Sequence, residues 1–467
     1  MTLTSLTIQQ HLISQWQQRK WFTNNKQTRL ERALFPYWCK NLKGLRFQKL
    51  HSITERHILI AGGGGGAKTG IPNVIEIYEL INNGSTCRAE SVTHFETGSE
   101  AIMNCTIYDA GKYFLLFAGM EGNCHVYKIK HSISDDGIEI KEKKSEKKNQ
   151  VIQRKKKSVP DEKGSDSNYS SSDLNCEQPD ANANVIHSRL CFEIRHLESF
   201  QTDFSKDPYQ KLVRFSSLAN LLATAGADGH IRIWKHPKLN RIYDIEAHAD
   251  DVDDLDICPL GKRMVSISRD GHGKVWNLED GSFLSELKYI LPSKCSNVKY
   301  TFRSCRFGIV EDKNDLTLFA TLNPARTKPP SQCYICKWDT KHYAQQKLVS
   351  AGTDLFSAMA VSDDGHFIGL GTQSGSVKIY IAFSLQQIYS VDYIHGIFVT
   401  GLEFLPSREE SRRITGGHET SLISISVDNH VIIHHIPMRP SMGILSLICL
   451  FILTLFTIFV IMDYFNL

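Results

Sequence analysis

The sequence predicts an all-β fold of seven repeated four-stranded units, a seven-bladed β-propeller, followed by one C-terminal transmembrane helix. The first observation is a repeat in which a Gly or Asn turn residue precedes an aromatic residue or a histidine by five positions. The second is a spacing of 42 residues from Trp234 to Trp276 and from Trp338 to Tyr380, which is the period of a propeller blade. The third is an uncharged apolar stretch at residues 444–462.

The repeat marks one strand in each predicted blade. Six copies begin at a turn glycine or asparagine: Gly122 to Tyr127, Gly229 to Trp234, Gly271 to Trp276, Gly375 to Tyr380, Asn73 to Tyr78 and Asn429 to His434. Trp338 closes a seventh strand that runs from Cys333 to Lys337. Alternating strands bounded by turn residues are typical of antiparallel sheets. We therefore assign residues 1–437 to the propeller.

A glycine-rich loop, Gly62 to Asn73, joins the strand-like segments His57 to Ala61 and Val74 to Leu80. Its sequence is close to that of a phosphate-binding P-loop, which needs a final Gly-Lys-Ser/Thr and a helix directly after it. Here Ala67 replaces the final glycine, and Pro72 lies where that helix would make its second turn. The residues that follow are apolar and β-branched, which favours a strand. We expect a strand, a loop and a strand, and no binding of ATP or GTP.

The unit from His248 to Trp276 resembles one complete blade of the WD-repeat family. The resemblance is carried by His248, Val252, Leu255, Ile257, Pro259, Gly261, Ser268, Asp270, Gly271 and Trp276. Three of these, His248, Ser268 and Asp270, are also the residue types of a Ser-His-Asp catalytic triad. In WD repeats, residues at these places form a buried hydrogen-bond network with the blade tryptophan. We therefore interpret them as structural.

The cysteines indicate a reducing compartment. Twelve of them are spread unevenly over 467 residues, unlike the dense disulfide framework of a small secreted domain. Cys333 and Cys336 have the spacing of a zinc or redox pair, but residues three apart on a strand point to opposite faces, so both sulfurs would not reach one metal. The formal net charge of +4 is too small to indicate a nucleic-acid surface by itself.

Residues 444–462 contain no charged residue and no proline. A helix of this length spans about 28 Å, close to the thickness of the hydrocarbon core of a bilayer. Only Ser446, Thr454 and Thr457 are polar in it, whereas a buried helix of a soluble domain would have a polar stripe. We predict a transmembrane helix with a short lumenal tail, residues 463–467. Residues 1–32 have no apolar signal segment, so we expect the propeller in the cytosol.

The strand pattern is interrupted at residues 131–188. Lys141 to Lys148 and Arg154 to Lys157 are basic runs, and residues 165–184 are rich in Ser, Asn and Asp. Because too few apolar residues are present to offset the entropy of ordering, we predict a disordered insertion within the propeller. A solvated loop, a nuclear-import signal and a patch for anionic lipid all remain open for the basic runs.

Four features together resemble one family, the prolactin regulatory element-binding proteins. These are the animal form of the membrane-bound exchange factor for the Sar GTPase that starts COPII coat assembly. The features are the loop residues Lys68, Thr69, Gly70 and Asn73, the segment Gly369 to Gln386, the segment His395 to Thr400, and the C-terminal membrane anchor. A WD protein outside this family has neither the glycine-rich loop in blade 1 nor the tail helix.

The resemblance implies a guanine nucleotide exchange factor without covalent chemistry, anchored by a single span in the endoplasmic reticulum membrane. It would promote GDP release from a Sar-type small GTPase and would take no small-molecule substrate. In the family, the blade-one loop is stabilised by a bound potassium ion and presses on the GTPase beside its nucleotide. The residues expected to contact the GTPase are Gly70, Ile71, Pro72 and Asn73. The residues expected to shape the loop and its potassium site are Gly62, Gly63, Gly64, Gly65, Gly66, Lys68 and Thr69.

Two other functional classes remain open. A DNA-binding transcriptional regulator in the nucleus is one of them, because the family name refers to a DNA element. Only the basic run Arg154 to Lys157 supports that class, and the membrane anchor opposes it. The other class is a passive membrane-anchored scaffold, a common role for propellers. A scaffold would bind the GTPase equally well in every nucleotide state.

Overall fold

The computed structural model describes residues 37–41, 47–66, 70–82, 87–134, 189–292, 298–310, 315–326, 330–438 and 451–460. The chain divides into two compact units, residues 1–130 together with 192–467, and residues 131–191. In the second unit, only the strand ends at 131–134 and 189–191 are described. The rest of the predicted insertion lies outside the described residues.

In the described residues, 28 strands form seven four-stranded antiparallel sheets, the blades. Blade 1 contains β2 (Phe47–Ser52), β3 (His57–Gly62), β4 (Val74–Asn82) and β5 (Cys87–Glu96). Blade 2 contains β6 (Asn104–Asp109), β7 (Tyr113–Met120), β8 (Asn123–Ser134) and β9 (Arg189–Gln201). Blade 3 contains β10 (Gln210–Ser216), β11 (Leu221–Gly226), β12 (His230–Lys235) and β13 (Asn240–Glu246).

The next three blades repeat the same order of consecutive strands. Blade 4 contains β14 (Val252–Ile257), β15 (Arg263–Ser268), β16 (Gly273–Asn277) and β17 (Phe283–Glu286). Blade 5 contains β18 (Tyr300–Val310), β19 (Asp315–Pro324), β20 (Tyr334–Asp339) and β21 (Gln345–Ser350). Blade 6 contains β22 (Phe356–Val361), β23 (Phe367–Thr372), β24 (Val377–Ile381) and β25 (Gln386–Val391).

Blade 7 is completed by a strand from near the start of the sequence. Its first three strands are β26 (Val399–Phe404), β27 (Thr420–Ser426) and β28 (His430–Ile436), and its fourth is β1 (Tyr37–Asn41). Strand β1 pairs antiparallel with β28, with Tyr37 opposite His434. A short helix, α1 (Glu409–Thr415), connects β26 to β27. Because sequence-distant strands share this sheet, the ring is closed by backbone hydrogen bonds.

The first strand of each blade lines the centre of the ring. Each contacts the first strand of the next blade, from β2 through β6, β10, β14, β18, β22 and β26 back to β2. A cavity of about 440 Å³ lies between them and is lined by Lys49, Arg214, Asp254, Arg306 and Glu403 among others. The propeller centre is therefore polar and charged.

The apolar core lies between neighbouring blades. Ile58 and Tyr78 of blade 1 share a buried cluster with Ile425 and Ile433 of blade 7. Val265 of blade 4 shares another cluster with Cys305 and Trp338 of blade 5. Burying one such side chain contributes about 1.5 to 3 kcal/mol to stability. Each blade is thus stabilised chiefly by the faces of its neighbours.

All seven strands predicted from the repeat are present, and each is the third strand of its blade. They are β4, β8, β12, β16, β20, β24 and β28. The predicted all-β fold of seven blades is therefore confirmed. One detail was wrong, because Trp338 lies inside β20 rather than after it.

The two ends of the propeller differ in what they carry. In every blade the second strand turns into the third at one end, and the fourth strand connects to the next blade at that same end. We call it the loop face, and it carries residues 63–66, 70–73, 97–103 and 392–398. We call the opposite end, where β28 finishes at Ile436, the exit face.

Residues 451–460 form a second helix, α2, with exposed side chains. Among the described residues, no helix is both long and apolar enough to cross a membrane. The predicted span, residues 444–462, lies partly outside the described residues and stays a prediction. The same holds for the tail, residues 463–467.

Candidate functional site

The glycine-rich loop connects two strands of one hairpin, as the sequence predicts. Strands β3 and β4 pair antiparallel up to Gly62 and Val74, and the loop leaves the sheet at that point. A Cβ atom added to Gly63 would lie 2.2 Å from Oδ1 of Asn73 and 2.6 Å from its Cα. Only glycine allows the two limbs of the loop to approach so closely.

Asn73 is the anchor of the loop. Its Oδ1 accepts a hydrogen bond from the backbone N–H of Gly65 at 2.9 Å, and its Nδ2 donates to the carbonyl of Gly98 at 3.0 Å. Its own carbonyl accepts from the N–H of Thr97 at 2.9 Å. Asn73 is only 6% exposed. One buried amide therefore joins both limbs of the loop to the connection between blades 1 and 2.

The tip of the loop faces solvent. Gly70 and Pro72 are exposed, and Ile71 is half-buried. Gly70 has a φ of 72°, and Gly65 has a φ of 69°, values that glycine adopts without strain. Pro72 fixes its own φ and stiffens the tip. The described part of the loop thus offers a compact, uncharged surface on a fixed base.

The sequence placed Gly70, Ile71, Pro72 and Asn73 together at the tip. The structure brings the first three to the surface and places Asn73 in the base, with its side-chain amide turned to other loop atoms. Lys68 and Thr69 lie outside the described residues. Direct contact of these residues with a GTPase stays a prediction.

The described residues of the loop carry no reactive side chains. Residues 62–66 and 70–73 include no side chain that could act as a nucleophile, an acid or a base. Among the described residues, no cluster of three His, Cys, Asp or Glu side chains could hold a metal ion. The donors of the loop are neutral oxygens, the backbone carbonyls of its glycines, and such oxygens are the ligands of potassium in proteins.

The residues of the apparent catalytic triad form a structural network. In blade 4, Nδ1 of His248 lies 2.9 Å from Oδ2 of Asp270, and Nε2 lies 2.8 Å from Oγ of Ser266. The indole N–H of Trp276 donates to the same Ser266 oxygen at 2.9 Å. Burial lowers the pKa of His248 despite its contact with Asp270, so the neutral ring donates to the carboxylate and accepts from the serine.

The prediction that Ser268 belongs to this network was wrong, because Ser266 occupies that place. Ser268 accepts from the backbone N–H of Asp270 and donates to the carbonyl of Asp250, which fixes the turn. Ser266 is two residues before Ser268 on β15 and lies opposite Lys274 of β16. Because side chains two residues apart on a strand point to the same face of the sheet, both serines lie on one face. Sequence spacing alone does not decide which of the two serines meets the histidine.

Blade 7 contains a second network of this kind, which the sequence interpretation missed. Nε2 of His395 lies 2.7 Å from Oγ of Ser424, and Nδ1 lies 3.2 Å from Asp428. His434 takes the place of the tryptophan, with Nε2 2.8 Å from the same serine oxygen. The helix α1 lengthens the interval between His395 and Asp428, which obscures the pattern in the sequence.

Cys333 and Cys336 point away from each other, as predicted for a strand. Cys333 packs in the cluster between blades 5 and 6, and Cys336 packs in the cluster between blades 4 and 5. Burial raises the pKa of the Cys333 thiol to about 12 and raises that of Cys336 as well. Both are apolar core residues, and their sulfurs belong to different clusters.

Comparisons with known proteins agree with this geometry. The family model "WD domain, G-beta repeat" matches residues 212–235 and 239–277. The chain is 36% identical over 400 residues to the mouse guanine nucleotide-exchange factor SEC12, which covers 84% of this chain and 89% of the mouse protein. The chain belongs to the SEC12 family of guanine nucleotide-exchange factors. For the rat SEC12 protein the identity is 35%, with the same coverage of both chains.

Solved structures that resemble this SEC12-family chain support its fold alone. The WD40 propeller domain of Doa1 is 10% identical, with a TM-score of 0.51, and the match covers 85% of this chain and 97% of that domain. Raptor from Chaetomium thermophilum has a TM-score of 0.55 at 12% identity, with coverage of 86% and 29%. At this identity, these structures give no information on the function of the glycine-rich loop.

Proposed function

We propose that this SEC12-family chain accelerates the release of GDP from a Sar-type small GTPase and thereby starts COPII coat assembly at the endoplasmic reticulum. The observation that carries the proposal is the 36% identity to mouse guanine nucleotide-exchange factor SEC12 over 84% of this chain. The loop geometry is consistent with it, because exchange requires a shaped contact surface and no covalent chemistry. Within the part of the chain that the structure describes, no specific observation favours DNA binding or a passive scaffold role.

Exchange is a coupling between two binding events. If the factor lowers the affinity of the GTPase for GDP by some ratio, then GDP lowers the affinity for the factor by the same ratio. The factor therefore has to bind the nucleotide-free GTPase more tightly than the GDP-bound form. A surface that fits only the opened nucleotide pocket provides this difference.

The loop of blade 1 is the proposed acting element. The uncharged tip consists of the exposed Gly70 and Pro72 and the half-buried Ile71, and it can enter a gap beside the nucleotide without carrying a charge out of water. Asn73 holds the base of the loop through two side-chain hydrogen bonds. Because these two hydrogen bonds hold the base of the loop before contact, docking would cost less conformational entropy there.

A potassium ion in this loop is part of the proposal. The backbone carbonyls of Gly62, Gly63, Gly64, Gly65 and Gly66 would hold it, together with the hydroxyl of Thr69. The described residues of the loop include no carboxylate, so the donor set suits a weakly held monovalent cation better than calcium or magnesium. When bound, the ion would balance the dipoles of inward-turned carbonyls and so stiffen the loop. Lys68 would remain outside the coordination shell.

Anchoring in the membrane is also proposed. Residues 444–462 would form a single span, with residues 463–467 in the lumen and the propeller in the cytosol. The described part of this segment, residues 451–460, is helical, and its side chains are exposed. An exposed apolar helix needs an apolar surrounding, which a bilayer provides.

The test is the release of a fluorescent GDP analogue from the Sar-type GTPase in the presence of excess GTP. The full-length chain in detergent or liposomes is expected to raise the release rate at substoichiometric concentration. Ile71→Ala should lower the maximal rate, because Ile71 lies at the exposed tip. Leu218→Ala is the control, since Leu218 is an exposed leucine at the exit face, away from the loop.

Three results would contradict the proposal. If the wild-type chain leaves the rate of GDP release unchanged, the chain has no exchange activity on this GTPase. Equal affinity for the GDP-bound and nucleotide-free GTPase would favour a scaffold. Sequence-specific retention of DNA at physiological salt, without any effect on the GTPase, would favour the transcriptional role.

A further inference from the structure

A second loop on the loop face exposes large apolar side chains. Residues 392–398 connect β25 to β26, and Tyr393, Ile397 and Phe398 are 53%, 37% and 45% exposed. Single exposed apolar residues are common on protein surfaces, but three within six positions of one loop form a patch. Aromatic residues on such patches are the usual anchors of protein interfaces.

The backbone under this patch is held in place. The N–H of His395 donates to the carbonyl of Gly375 at 3.0 Å, and the N–H of Gly396 donates to Asp428 at 2.8 Å. The carbonyl of Phe398 accepts from Oγ of Ser426 at 2.8 Å. Because the backbone of this loop is already held in place, docking costs little backbone conformational entropy.

The patch and the glycine-rich loop lie in neighbouring blades on one face. Blade 7 follows directly on residues 392–398, and its inner strand β26 lies beside β2 of blade 1. The carbonyl oxygen of Gln48 is 3.9 Å from the place of a Cβ on Gly401. A globular partner that covers the loop tip would also cover part of blade 7.

We infer that Ile397 and Phe398 form a second contact for the same GTPase, and that they supply affinity while the blade-one loop supplies the opening of the nucleotide pocket. The inference rests on the proposed exchange function. The partner is a small GTPase, because the patch lies on the same face as the loop that would act on its nucleotide site, and the inner strands of blades 7 and 1 are in contact. If the two surfaces act in this way, changes in the patch alter the half-saturating concentration, and changes in the loop alter the rate at saturation.

The test is the double variant Ile397→Ala and Phe398→Ala in the full-length chain, assayed by GDP release over a range of exchange-factor concentrations. The half-saturating concentration should rise about ten- to thirtyfold, as for the loss of an interface anchor. The rate at saturation should stay within about twofold of wild type, whereas Ile71→Ala should lower it. Both single variants are measured as well, so that misfolding of the double variant does not remove the test.

The chain offers a matched control on its far side. Phe283 and Leu284 are 54% and 38% exposed on β17 of blade 4, across the ring from blades 7 and 1. Phe283→Ala with Leu284→Ala should leave both kinetic constants unchanged. The inference would be overturned if the wild-type chain promotes exchange and the double variant has the same half-saturating concentration as wild type. Absence of exchange with the wild-type chain would instead overturn the proposed function.

Discussion

Asn73 is a buried side chain at the base of the candidate site. From the sequence, its place at the loop exit indicates either a turn former or a direct GTPase contact. Asn73 does not have the positive φ that would favour glycine, so it is not a simple turn former. Its amide is buried and bonded to Gly65 and Gly98, which makes it the support of the tip.

Substitution of Asn73 should loosen the loop and slow exchange together. Asn73→Ala removes two hydrogen bonds, each worth about 0.5 to 1.5 kcal/mol, so local stability should fall by about 1 to 3 kcal/mol. Asn73→Asp keeps the acceptor for Gly65 but turns an anionic oxygen toward the carbonyl oxygen of Gly98, so it should destabilise the loop at least as much as Asn73→Ala. Hydrogen–deuterium exchange of residues 63–66, measured alongside GDP release, checks this.

The two measurements separate support from contact. If Asn73→Ala loses exchange while the amides of residues 63–66 stay protected, the side chain contacts the GTPase directly, as the sequence first suggested. Asn73→Gly should behave like Asn73→Ala, because it loses the same hydrogen bonds. A neutral or stabilising effect of Asn73→Gly would restore the turn-former interpretation.

Two loop glycines should respond differently to alanine. At Gly63 the added methyl would lie 2.2 Å from Oδ1 of Asn73, so Gly63→Ala must displace the anchor and should abolish most of the exchange activity. At Gly70 no atom lies within 4 Å of the added methyl, and only the φ of 72° costs about 1 kcal/mol. Thermal midpoints and GDP release rates of both variants test this order, and equal losses at both positions would contradict it.

At the scale of elements, the third strands of the blades could be predicted from the sequence. Each begins at a turn residue and ends near an aromatic residue or a histidine, because that side chain covers the blade interface. Helix α1 was not predicted, although signals for it exist. Glu409 and Glu410 lie in its first turn, Arg412 and Arg413 lie in its last turn, and Gly416 ends it with a φ of 92°, as expected from the helix dipole and the left-handed cap.

The tail helix gives a prediction at the same scale. Ile452 is exposed in α2, near the centre of the proposed span. Ile452→Arg should cost about 2.5 to 3.5 kcal/mol of insertion free energy and move the protein to the soluble fraction after carbonate extraction. Met438→Arg, outside the span, is the matched control. Full resistance of the Ile452→Arg variant to extraction would argue against the span.

At the scale of the whole molecule, ring topology separates the two functional ends. Strand β28 starts at the loop face and finishes at Ile436 on the exit face, six residues later. At about 3.3 Å per residue, the strand is roughly 20 Å long, and the proposed membrane tether begins at its exit-face end. The loop therefore points away from the side on which the tether begins. No local sequence pattern shows that the loop and the tether lie on opposite faces, since this depends on the number and direction of the strands in each blade.

The central channel could not be predicted either, because it brings together side chains from all seven blades. Glu403 faces it, and burial raises the pKa of its carboxyl to about 7, although Arg214 and Arg306 favour the charged form. His51 Nδ1 is 3.9 Å from the Glu403 carboxylate, but burial lowers the pKa of His51 to about 4. The two therefore do not form an ion pair at neutral pH.

This carboxyl should make stability depend on pH in a defined direction. Between its ordinary pKa of 4.5 and about 7, the folded chain retains a proton that the unfolded chain has released, so the free energy of unfolding falls as pH rises. Glu403→Gln removes that loss. It should stabilise the propeller by about 1 to 3 kcal/mol at pH 8, with the gain vanishing near pH 4.5. Denaturant midpoints at pH 5, 6.5 and 8 measure it, with Glu409→Gln on the exposed face of α1 as the control. A gain that is the same at pH 5 and pH 8 would show that the carboxyl is not protonated in the folded channel.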